Sequence, residues 1–132
     1  MRQDQTRVTG YPVRPSFLAP VDPHRVRETF GISQGRPIIF LLMGASGARR
    51  AVRFAQAIEK IDLPVELVIG IGQNAKLHDD LLKLPCSSRV SRHIIGYTPR
   101  IADLMGVADL LVTKAGPSTI FEAIHRDLPM VI

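Results

Sequence analysis

The chain has 132 residues, 45% hydrophobic and 22% charged, a composition that supports one globular core and excludes a disordered chain. No apolar run nears the roughly 20 residues of a membrane-spanning helix, the polar start Met1-Arg2-Gln3-Asp4-Gln5 has no secretory apolar region, and Cys86 is the only cysteine, which excludes an internal disulfide and points to a reducing compartment. The net charge of +5 suits anionic partners such as phosphates or acidic lipid headgroups; 5% aromatic residues and no tryptophan speak against nucleic acid.

The first residues, up to Phe17, form no obvious element. Pro37 to Met43 is an uncharged apolar run and predicts a buried strand, ending in Gly44-Ala45-Ser46-Gly47. Arg49 to Ile61 carries Ala51, Phe54, Ala55, Ile58 and Ile61 at helical spacing. Leu63 to Ile69 predicts a second strand, closed by Gly70-Ile71-Gly72. Asn74 to Leu84 predicts a helix stopped at Pro85, Val90 to Ile95 a third strand, and Arg100 to Met105 a short helix. Asp109 to Thr113 predicts a fourth strand, Pro117 to Arg126 a helix, and Leu128 to Ile132 the start of a fifth strand. Alternation of charge-poor strands with helices predicts an α/β fold, a Rossmann-like parallel sheet with helices on both faces. Each glycine cluster falls where a strand ends, and parallel sheets bind ligands at those carboxyl ends.

Thr113-Lys114-Ala115-Gly116-Pro117-Ser118-Thr119-Ile120-Phe121-Glu122-Ala123 is the most informative stretch. Gly116 allows close backbone approach, Pro117 presets the first helical φ, and the free amides of a helix start attract anions. Ser118 and Thr119 can donate to phosphate oxygens, and Glu122 can accept from two vicinal sugar hydroxyls. Thr119-x-x-Glu122 also fits a capping box that satisfies only backbone donors. His24, His78, His93 and His125 have no i, i+4 partner, so no local metal site is expected. Gly44-Ala45-Ser46-Gly47 has the wrong spacing for a dinucleotide fingerprint.

With these pieces in view, the chain resembles the carboxyl-terminal half of GT-B glycosyltransferases, family 28-like, in the group of monogalactosyldiacylglycerol synthases and processive diacylglycerol glucosyltransferases. The enzymes that make the lipid-linked peptidoglycan disaccharide are similar. The resemblance rests on Gly10-Tyr11-Pro12-Val13-Arg14-Pro15-Ser16-Phe17, Leu41-Leu42-Met43-Gly44, Gly72-Gln73-Asn74, Gly96-Tyr97 and the run from Ala108 through Pro117 to Leu128-Pro129. It implies one truncated half of a GT-B fold, with residues 1–20 as interdomain linker and 21–132 as an incomplete donor-binding domain. It implies a UDP-sugar as donor substrate, no cofactor and no metal.

By the same resemblance Arg14, Gly44, Ser46, Gly116, Pro117, Ser118 and Thr119 contact the donor diphosphate. Glu122 holds the ribose, and Tyr97 and Thr98 border the uracil. The implied reaction is inverting transfer of a hexose to a lipid acceptor such as diacylglycerol, with the acceptor site and the base in an amino-terminal half. No catalytic residue is expected in this fragment, which alone should not turn over. The expected location is cytoplasmic, and the basic balance is compatible with a peripheral place on the inner face of an anionic membrane. Ala45, Arg49, Arg50 and Gln73 depart from the family's loops. Those departures support a second reading, a non-catalytic nucleotide-binding remnant or scaffold module. A UDP-sugar epimerase would need cleft carboxylates beyond Glu122.

Overall fold

The computed structural model describes residues 7–44 and 47–132. Five strands form one parallel sheet in the order β3-β2-β1-β4-β5. They are β1 (Ile38–Leu42), β2 (Val65–Gly72), β3 (Val90–Gly96), β4 (Leu110–Thr113) and β5 (Met130–Val131). The helices are α1 (Pro23–Phe30), α2 (Ala48–Ile58), α3 (Ala75–Leu82), α4 (Ile101–Val107) and α5 (Pro117–His125). The chain moves outward from β1 to β2 and β3, then returns through α4 to lay β4 on the other side of β1. That reversal opens a crevice between the ends of β1 and β4, where open α/β sheets receive ligands.

Alternation along each strand sends side chains to two cores. Leu41, Val65, Leu67, Ile69 and Val112 pack with Ala51, Ala55 and Ile58 of α2 and Leu77 and Leu81 of α3. Ile38, Phe40, Val68 and Leu111 pack on the opposite face with Val26 of α1, Ala102, Leu104 and Met105 of α4 and Ala123 of α5. The expectation of helices on both faces is met.

Two elements went unseen in the sequence. α1 begins at Asp22, whose Oδ1 accepts from the Arg25 amide at 3.2 Å, and ends at Gly31 in the left-handed region (φ 66°). An Asp-Pro start and a glycine stop are the ordinary marks of a helix. A short 3-10 turn at Pro15–Phe17 buries Phe17 in the second core, 1% exposed, and so ties the amino-terminal segment to the domain.

Side chains also fix the register of β1 on β4 at both ends. The Ile38 amide donates to Asp109 Oδ2 at 2.7 Å. At the carboxyl end, Thr113 Oγ1 donates to the Leu42 carbonyl at 2.7 Å, and Thr113 is buried. A buried ion pair does the same for α2 and β3: Arg92 Nε donates to Glu59 Oε1 at 2.8 Å, and both side chains are 6% exposed. The Arg92 guanidinium also donates to the Pro85 carbonyl at 2.9 Å, and Glu59 Oε2 accepts from the Ser87 amide at 2.8 Å. The loop between α3 and β3 is thereby held against α2.

Candidate functional site

Strands β1, β2 and β3 end in Gly44, Gly70–Gly72 and Gly96, and β4 runs into Lys114-Ala115-Gly116. A cleft of about 500 Å³ opens at these tips, within the size range of small-molecule sites. Arg14, Leu42, Gly44, residues 70–74, residues 96–99 and Ile101 line it. The fold thus gathers Arg14, Gly44, Tyr97 and Thr98 into one cavity. Gln73 and Asn74 join them, although the departure at Gln73 had weakened the expectation for that loop. Asn74 Oδ1 caps α3 by accepting from the Leu77 amide at 2.9 Å. Tyr97 is 75% exposed, so it is not packed on the core but stands at the rim. Ser46 lies outside the described residues.

Gly116, Pro117, Ser118 and Thr119 do not line this cleft; they stand beside it at the start of α5. Gly116 is the N-cap of α5, Pro117 follows it, and no side chain caps the first turn. The capping box expected of Thr119 and Glu122 is not formed, because the helix begins at Gly116 and Glu122 lies beyond its first turn. Glu122 instead accepts from Arg14 Nε through Oε1 at 2.8 Å and is 7% exposed. Two residues expected to hold different parts of a nucleotide are therefore bonded to each other.

The amino-terminal segment is strapped onto α5 around that pair. The Tyr11 ring stacks on Phe121 with centroids 4.3 Å apart and planes at 7°. Tyr11 Oη and Ser118 Oγ are 2.9 Å apart. The Arg14 guanidinium lies over the Phe17 ring at 4.9 Å. The contacts of Tyr11 and Arg14 with α5 had no signal in the sequence, since those partners are more than 100 positions apart.

Two glycines shape the turn after β1. Gly44 has φ 66°, a conformation that disfavours any Cβ. Gly47 is fixed by space, since a Cβ there would stand 2.5 Å from the Met43 carbonyl oxygen. Gly47 is also the N-cap of α2 and offers it no side-chain cap. Arg49 and Arg50 follow in a first turn without an acidic residue, which costs a few tenths of a kcal/mol each against the helix dipole. A second groove of about 600 Å³ runs between α2 and the end of β4, past Met43, Arg50, Arg53, Phe54, Thr113 and Lys114. Thr113 was part of the motif read from the sequence, but its hydroxyl bond across the strand tips was not legible there.

Among the described residues no carboxylate or histidine lines the cleft. Among the described residues no cluster of His, Cys, Asp and Glu could hold a metal ion. No helix of the described residues is long and apolar enough to cross a membrane.

A five-stranded parallel sheet with a glycine-tipped crevice at its reversal point is a Rossmann-like fold, the kind of sheet that forms one half of the GT-B architecture. Solved structures carry the same fold. The chain superposes on Acinetobacter baumannii MurG with a TM-score of 0.59 at 18% identity, covering 93% of this chain and 35% of that one. It superposes on Anabaena Alr3699/HepE, determined in complex with UDP-glucose, with a TM-score of 0.59 at 18% identity, covering 89% and 34%.

The sequence profile of the glycosyltransferase family 28 C-terminal domain matches residues 38–132, and the chain belongs to that family. It is 33% identical to a probable chloroplastic monogalactosyldiacylglycerol synthase of Glycine max, over 100% of this chain and 26% of that protein. It is 29% identical to a processive diacylglycerol beta-glucosyltransferase of Bacillus pumilus, over 96% and 33%. The chain spans about a quarter to a third of the length of these curated relatives.

Proposed function

We propose that this chain is the donor-binding part of a glycosyltransferase that takes a hexose from a UDP-sugar and passes it to a lipid acceptor such as diacylglycerol. The carrying observation is the 500 Å³ cleft at the strand reversal, walled by glycine loops and Arg14 and bordered by the uncapped start of α5. The UDP-glucose bound by the Anabaena neighbour and the lipid acceptors named for the relatives support the reading.

In this reading the base lies between Tyr97 and Thr98, and the ribose hydroxyls donate to Glu122. The diphosphate meets the α5 amides, Ser118, Thr119 and Arg14. Binding then exchanges partners. Glu122 turns from Arg14 to the ribose, and the freed guanidinium forks onto phosphate oxygens. An acceptor hydroxyl oxygen bonds to the anomeric carbon as the bond from that carbon to the β-phosphate oxygen breaks, and its electron pair leaves with UDP. Arg14 and the positive end of α5 offset the charge that grows there. The hydroxyl proton goes to a base outside this cleft, whose walls hold no carboxylate or histidine. No cofactor or metal enters the proposal. A lipid acceptor would draw the protein to a membrane surface, and the +5 net charge favours an anionic one.

Calorimetric titration with UDP tests the proposal. Saturable heat with a Kd of about 1 mM or tighter, absent with ADP, is the expected result. No heat at millimolar UDP would contradict it.

A further inference from the structure

Lys114 is the first residue after β4, and its side chain runs across the crevice. Its Cε lies 3.1 Å from where a Cβ on Gly44 would stand, and its Nζ lies 3.7 Å from the corresponding position on Gly116. The lysine therefore spans the two glycine loops that follow β1 and β4, the pair of strands at the reversal point. Lys114 lines the groove with Arg50 and Arg53 and does not itself line the cleft, but it passes against Gly44, which does.

Its electrostatic state differs from that of Arg14. Arg14 sits on the other side of the α5 start and is neutralised by Glu122 at 2.8 Å. Among the described residues no carboxylate lies within ion-pair distance of Lys114, while Arg36, Arg89, Arg92 and Arg100 all have one. An unneutralised ammonium at the tips of two glycine loops is a point charge with three donors for an oxyanion. The missing Cβ of Gly44 lets the lysine stem pass, and Gly116 presents no side chain to the ammonium.

We propose that Lys114 acts beside Arg14 as a cation that selects a nucleoside diphosphate over the bare nucleoside, by donating to the phosphates. This rests on the donor-binding reading above and adds to it a residue and a specificity. Glu122 and residues 96–99 would hold the nucleoside whether or not phosphate is present. Lys114 answers only to the phosphates.

The test is a chemical-shift titration of the wild-type chain, Lys114→Met and Lys114→Arg with uridine, UMP and UDP, a measurement that reaches millimolar affinities. Thermal unfolding confirms that the variants are folded, as expected for an exposed side chain. The expected result is a loss of about tenfold to a hundredfold in UDP affinity for Lys114→Met. Uridine affinity stays within about twofold, UMP falls less than UDP, and Lys114→Arg keeps most of the UDP affinity because it keeps the charge. Two results would overturn the assignment of Lys114 alone: UDP binding unchanged in Lys114→Met, or UDP and uridine weakened alike. A wild-type chain that binds none of the three ligands would overturn the donor-binding reading, and this proposal with it.

Discussion

Glu122 is nearly buried and accepts a bond from Arg14, and in the proposed function a ribose takes that bond over. In that proposal Glu122→Ala should weaken uridine about tenfold or more, and UDP by a smaller factor because the substitution also frees Arg14 for the phosphates. Parallel titrations of both ligands check this. A loss confined to UDP would place Glu122 on the phosphates. The pair itself adds little to stability, since the Arg14 side chain is 59% exposed and water screens it. How far such residues could be read from the sequence depended on range. The glycine, proline, hydroxyl and carboxylate types of the 113–122 stretch were visible because their spacing is local. The Arg14–Glu122 bond and the Tyr11–Phe121 stack join positions over 100 apart, and no local pattern encodes such distances. Lys114 was visible as part of the motif, yet its path past Gly44 depends on β1 and β4 being neighbours.

β1 and β4 declared themselves as apolar runs, because a parallel strand covered on both faces has no polar side to show. Helices α2, α3, α4 and α5 appeared within one to three residues of their expected ends. α1 did not appear: it buries only Val26, and its polar surface hides an apolar stripe. Polar residues interrupt β3 and β2: Ser91, Arg92 and His93 on β3, and on β2 the fully buried Glu66, whose Oε2 lies 2.6 Å from His93 Nε2. The burial of Glu66 followed from the sheet and not from its residue type. Two contacts between elements make predictions at this scale. Thr113→Val keeps the shape but removes the hydroxyl bond to the Leu42 carbonyl, and should lower stability by about 1 kcal/mol in urea unfolding. It should weaken UDP as well, because that bond holds together the two strand tips that frame the crevice. Arg92→Met strands the buried Glu59 carboxylate and frees the loop before β3. A loss of about 3–5 kcal/mol is expected in the same unfolding measurement, with UDP affinity unchanged in whatever fraction remains folded, since Arg92 does not line the cleft.

For the molecule as a whole, the strand order carries the functional argument. Reversal between β1 and β4 places three glycine-ended loops around one cleft with the start of α5 beside it, and Phe17 in the second core brings Arg14 to the same place. The relatives are three to four times as long as this chain, and catalysis needs an acceptor and a base that the cleft walls do not supply. The central claim is therefore one of binding, and a crystal structure of the chain soaked with UDP tests it most directly. The account predicts uracil between residues 96–99, the ribose on Glu122, Arg14 turned away from Glu122, and the diphosphate over Gly116 to Thr119. UDP lodged elsewhere, or an occupied cleft with the Arg14–Glu122 bond intact and the start of α5 untouched, would contradict it.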